Sequence, residues 1–145
     1  MRPVTSDTVT SDTMTSDTVT SNIDTSATDL KTGNQAKPLA VVLTTASSEQ
    51  EALRLAHALV EARLVACAQI MAPMQSIYRW EGQIEQATEY GLVLKTAPEQ
   101  LSSLEAKLTA LHSYAVPEFV VLEGEASKAY GAWVLENLAQ NPLKS

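Results

Sequence analysis

Apolar positions change period several times along this chain, and each change marks an element. Leu39 to Thr45 is an unbroken, valine-rich aliphatic run, the pattern of a strand covered on both faces. Ser47 or Ser48 then caps a helix, with Gln50 or Glu51 three residues on completing a capping box. Ala52, Leu55, Ala56, Leu59 and Val60 recur at helical spacing to about Arg63. From Leu64 to Trp80 the pattern is extended. Glu81-Gly82 reads as a tight hairpin turn in which Gly82 supplies a positive φ, and the chain returns from about Ile84 to Lys95. Pro98 suits the first turn of a second helix, whose buried face is marked by Leu101, Leu104, Leu108 and Leu111. Val116 to Leu122 reads as another strand and Ala126 to Leu138 as a closing amphipathic helix. The order β-α-β-β-α-β plus a helix predicts an α+β, ferredoxin-like sandwich with an extra C-terminal helix and a long hairpin between the second and third strands. The helices are expected on one side of an antiparallel sheet.

The hairpin is too long for the domain. Leu64 to Trp80 is 17 residues, which at about 3.3 Å each would extend roughly 55 Å. A domain of this size has a radius of gyration near 13 Å, so a diameter of roughly 35 Å. The ribbon must bend, break or project. Pro73 lacks a ladder donor and marks the expected bulge. A projecting ribbon exposes strand edges that need covering, and self-association is the economical answer.

Composition divides the chain near Pro38. Residues 1–37 carry four tandem pentapeptides, beginning Thr5-Ser6-Asp7-Thr8-Val9 and ending in a degraded copy from Thr20 to Asp24. Without aromatics and with only isolated aliphatics, this tail is expected to be disordered, leaving residues 38–145 as one folded domain. After residue 37, seven Lys and Arg stand against twelve Glu, with no basic cluster, which speaks against nucleic-acid binding. No apolar run approaches the roughly 20 residues that span a bilayer, so no membrane partner is expected. Cys67 is the sole cysteine, which excludes an internal disulfide and favours a reducing compartment. The N-terminus has no apolar signal region and carries five Asp against three basic residues, unlike an import peptide. The expected location is the cytoplasm.

Few residues suggest chemistry. Cys67 is the one soft metal ligand, yet between Ala66 and Ala68 it also reads as a small buried hydrophobe. A Cys67–His112 nucleophilic pair lacks an oxyanion motif and an orienting partner, so no enzyme is expected. His112 follows the second helix and is either a helix-terminal histidine or an imidazole ligand. His57 reads as an ordinary helix residue. Glu81, Glu85, Glu89 and Glu118 form a carboxylate supply near the hairpin and the His112 loop, and each also suits a salt bridge. Tyr78, Trp80 and Tyr114, with Glu81 and Glu118 beside them, are the expected interface residues, plain core packing being the rival reading of the three aromatics.

The segment Ser76-Ile77-Tyr78-Arg79-Trp80-Glu81-Gly82-Gln83-Ile84-Glu85 packs aromatics, an arginine and glutamates around a turn glycine. With Val41-Val42-Leu43-Thr44-Thr45-Ala46, Leu64-Val65-Ala66-Cys67, Leu94-Lys95-Thr96 and His112-Ser113-Tyr114-Ala115-Val116-Pro117-Glu118, it resembles the CutA family of divalent-cation tolerance proteins. The resemblance covers roughly Pro38 to Leu138. It implies a homotrimer built from long hairpins and a role in tolerance of copper and other divalent cations, some members binding copper through a Cys and His set. This chain departs from that set: Thr44 stands where some bacterial members have cysteine, and Leu111-His112 where they have a His-His pair. The implied site keeps His112 with Glu89 and loses its soft ligand, leaving Cys67 as the only thiol. Weak binding of Cu(II) or another divalent cation is therefore expected, without an organic cofactor. The rival expectation is a PII-like trimeric signalling or scaffold protein binding a small metabolite or a protein. An acylphosphatase-like enzyme would want an arginine in a Gly-rich phosphate loop, and none of Arg54, Arg63 or Arg79 sits in one.

Overall fold

The computed structural model describes residues 36–140. The predicted tail falls outside the described residues except for Ala36 and Lys37, the latter already in the first strand. The elements run β1 (Lys37–Ala46), α1 (Glu49–Glu61), β2 (Cys67–Trp80), β3 (Gln83–Thr96), a 3-10 turn (Pro98–Gln100), α2 (Leu101–Leu111), β4 (Val120–Ala126) and α3 (Lys128–Glu136). Sheet order is β2-β3-β1-β4, and each neighbouring pair is antiparallel. This is the α+β, ferredoxin-like arrangement with its additional helix.

Local chemistry fixes the element ends. Ser48 caps α1 by accepting the Glu51 N–H at 3.1 Å. The Glu51 carboxylate reaches back one residue further than a standard capping box, to the Ser47 N–H at 3.1 Å. At the other end Arg63 N–H bonds Val60 O and Leu64 N–H bonds Leu59 O, with Arg63 at φ 58°: a Schellman close made without glycine. Pro98 opens the 3-10 turn that leads into α2. Glu81 and Gly82 both have positive φ, 49° and 78°, as a type I′ hairpin turn requires. Register along β2–β3 shifts between Ile70 and Pro73, where the proline cannot donate.

Strand parity assigns the faces. Val42, Leu92 and Leu94 point into the main core with Leu55 and Leu59 of α1 and Leu104 and Leu108 of α2. The alternate residues face the other way. Leu39 packs there with Ala97, Val134 and Leu138, so α3 covers one end of the second face. The expectation of helices on one side holds for α1 and α2 and fails for α3, because hydrophobic period shows that a helix has a buried stripe but not which face receives it. The predicted strand from Val116 begins only at Val120. Pro117 has no N–H to give a ladder, and the residues before it are committed to side-chain anchors described below.

β1 ends at Ala46, opposite Tyr90. Beyond that point β2 and β3 continue alone as a two-stranded ribbon of seven pairs, from Met74↔Glu89 to Trp80↔Gln83. Seven residues project about 24 Å.

Candidate functional site

The polar cluster of the molecule lies where the ribbon leaves the sheet. Thr45 pairs with Gly91, and Glu89 sits two residues further along β3 on the same face. The diagonal neighbours meet: Thr45 Oγ1 donates to Glu89 Oε2 at 3.0 Å. The chain leaving α2 arrives at the same place. His112 N–H closes the helix onto Leu108 O at 2.9 Å, and the residue's extended backbone turns the chain out. Tyr114 OH then donates to the same Glu89 oxygen at 2.8 Å. Glu89 is 1% exposed, Tyr114 6% and His112 9%, so these bonds form away from water.

Two backbone groups determine the His112 tautomer. The Tyr114 N–H can only donate, so Nδ1 accepts it at 3.0 Å; the Thr45 carbonyl can only accept, so Nε2 carries the proton and donates at 2.6 Å. The imidazole is neutral, and both nitrogens are engaged. Its ring tilts 42° against Tyr114, with centroids 4.7 Å apart. A second anchor lies beside it: Glu51 Oε2 accepts the Ser113 N–H at 3.1 Å and pairs with Arg54 at 3.3 Å, while Arg54 Nη1 donates to Leu111 O at 3.2 Å.

The electrostatics centre on Glu89. Burial, the hydrogen bond to Glu89 and its charge raise the Tyr114 hydroxyl far above the ordinary phenol range. Burial, then the charges of Glu89 and Glu85, raise Tyr78. Glu118 is raised by burial and then by Glu89. Glu51 goes the other way: burial pushes it up, but hydrogen bonds from Ser113 and Ser47 bring it below the ordinary carboxylate value.

Of the three predicted metal ligands, His112 and Glu89 converge on Thr45, and Cys67 does not join them. Cys67 is opposite Lys95, six residues from Glu89 along β3, a separation of roughly 20 Å. Strand register decides that distance, and residue spacing along the chain carries no trace of it. Among the described residues no group of three or more His, Cys, Asp and Glu side chains is placed to hold a metal ion. The nitrogen and oxygen donors present suit a borderline cation, and each already holds protein partners. Of the predicted interface residues, Tyr114 is buried within its own chain, and its hydroxyl donates to Glu89. Tyr78, Trp80 and Glu118 are half-buried, and Glu81 is exposed at the ribbon turn. Sequence reasoning missed Thr45, Glu51 and Ser113 as anchors. Glu51 had a legible signal in its capping spacing, but the second half of its work, holding Ser113, is 62 residues away.

Known proteins share the whole of this region. A family model described as CutA1 divalent ion tolerance protein matches residues 40–137. The chain belongs to that family. The Divalent-cation tolerance protein CutA of Thermus thermophilus is 43% identical over 98 residues, 67% of this chain and 95% of that protein. Protein CutA, chloroplastic, of Arabidopsis thaliana is 31% identical over 113 residues, 77% of this chain and 62% of that protein. The solved structure of CutA from Synechococcus elongatus PCC7942 superposes with a TM-score of 0.68 at 43% identity, covering 73% of this chain and 97% of that one. The CutA match takes in every anchor residue named above, from Thr45 to Tyr114. Among the described residues no helix is long and apolar enough to cross a membrane.

Proposed function

We propose that this chain acts in divalent-cation tolerance as a homotrimer, holding a cation such as Cu(II) weakly through His112 with Glu89. One observation supports the assembly above others. On the sheet face opposite α1 and α2, Val41, Leu43 and Val93 are half-buried, and Val120 and Leu122 are exposed beside them. Strand parity carries the same face up the ribbon to Tyr78 and Trp80, past the carboxylates of Glu89 and Glu85. An apolar patch beside a ribbon with two open edges calls for a covering partner. A second and third copy bring the same surface, and three is the number the family resemblance implies.

Affinity for the cation is expected to be low, since two borderline donors without a thiolate make an incomplete cage. No enzymatic step is proposed. A single cysteine fits a cytoplasmic setting, which cell fractionation tests.

Native mass spectrometry with and without Cu(II) tests both parts. Three chains per particle and bound copper that falls on His112→Ala are the expected results. A stable single-chain species at micromolar concentration would remove the trimer, and unchanged copper stoichiometry in the variant would remove His112. Thermal stabilisation by nucleotides or organic acids, with no response to metals, would favour the PII-like role instead.

A further inference from the structure

We propose that Met71 and Met74 form a peroxide-sensitive modification site, and that their oxidation loosens the assembly. The inference rests on the proposed trimer and follows from strand register. Residues three apart in a regular strand point to opposite faces. Here Ile70 is opposite Leu92 and Pro73 opposite Tyr90, so two residues of β2 stand against the single Gly91 of β3. That extra residue brings Met71 and Met74 onto one face. Both close over the bare backbone of Gly91: the point a Cβ would occupy there lies 3.4 Å from Met71 Sδ and 3.6 Å from Met74 Cε. The chain's other methionines are Met1 and Met14.

The face they share is the one proposed to join copies. Gly91 is opposite Thr45 and Met74 opposite Glu89, so the pair lies between Val93 and Tyr78 along it. In the single chain Met71 is 55% exposed and Met74 38%, so both side chains are open to a small oxidant. With hydrogen peroxide, a sulfur lone pair takes one peroxide oxygen, the O–O bond breaks, and the other oxygen leaves as water. The sulfur is oxidised by two electrons and the peroxide is reduced. Each sulfoxide places a strong acceptor where the thioether was a weak one. On a separate chain, water satisfies it. Under a second copy it loses that water and must find a donor or stay unpaired. Oxidation thus favours the separate chain, and assembly shields both sulfurs.

Native mass spectrometry of the full chain before and after hydrogen peroxide, with peptide mapping to place each added oxygen, tests this. Peroxide should oxidise Met71 and Met74, and the protein concentration at which half the chains dissociate should rise about tenfold. Met71→Gln/Met74→Gln, which puts a polar group at both positions without oxidant, should show the same rise. Met71→Leu/Met74→Leu should assemble like the parent and keep its midpoint through the same treatment, which excludes Cys67, Met1 and Met14 as the cause. Parent chains that carry both sulfoxides and assemble unchanged overturn the proposal and leave the trimer standing. Sulfurs unmodified under excess peroxide also overturn it, as does a leucine variant that loosens equally when treated. An untreated parent found as single chains overturns the trimer as well. If the glutamine variant fails to fold, methionine sulfoxide reductase should return the oxidised parent to its original midpoint, and a shift that outlasts full reduction overturns the proposal.

Discussion

Gly131 of α3 and Lys37 of β1 are packed so closely that a methyl group on the glycine would overlap the lysine Cβ. Helix propensity alone makes Gly131→Ala stabilising by about 0.5–1 kcal/mol. The overlap reverses the sign, because a Cβ, unlike the end of a flexible side chain, cannot move without its backbone. Gly131→Ala is expected to destabilise by about 1–3 kcal/mol in a denaturant titration. A stabilised variant would mean that α3 rides free of β1.

Thr44 carries a buried hydroxyl with no hydrogen-bond partner among the described residues. Thr44→Val keeps the branched shape and removes the unpaired oxygen, so it should stabilise by about 1 kcal/mol. Thr44→Ser keeps the hydroxyl and leaves a methyl-sized void, and it should destabilise by about the same amount. A thermal melt of the pair checks the contrast; equal shifts would indicate an acceptor for Oγ1.

Arg63 occupies a left-handed position that glycine fills at comparable helix ends, and its carbonyl accepts the Ala139 N–H at 2.9 Å. Arg63→Gly removes the Cβ strain at the cost of a more flexible unfolded chain, for a net gain of about 0.5 kcal/mol. Glu81→Asn at the hairpin turn should act in the same direction. Denaturant midpoints that fall in both variants would refute the strain argument.

Two carboxyls should give opposite pH dependences. Glu51 is held below its ordinary value, so its contribution to stability is present above about pH 4.5 and is lost as pH falls through the depressed folded value. Glu118 is raised, so its contribution is present below the ordinary carboxylate value and is lost as pH rises through the higher folded one. Glu51→Gln should flatten the acid limb of a stability–pH curve, and Glu118→Gln should flatten the loss on the rising side. An acid limb that survives in Glu51→Gln would assign it to another group.

The elements were legible wherever a local rule governs them. Pro73 announced the register break because a missing N–H shows in the residue name, and Gly82 announced the turn for a similar reason. The aliphatic run from Val116 misled, since its apolar residues say nothing of the bonds that tie His112, Ser113 and Tyr114 to distant partners. The candidate site was half legible. His112 and Glu89 were named from residue type and resemblance, but their meeting at Thr45 depends on β1–β3 register and on where α2 ends. Cys67 shared the right chemistry and the wrong end of the sheet. No spacing rule could have separated it from the others.

The ribbon beyond Tyr90 also restricts how this protein can change length. Tyr78 and Trp80 lie on one side of it and Ile77 on the other, and a strand's side-chain period is two. Removing Ser76 would turn the aromatics outward and bring Ile77 inward, whereas removing two consecutive residues from each strand would shorten the arm and keep its sides. Viable insertions and deletions here come in even steps, and an odd one inverts the arm.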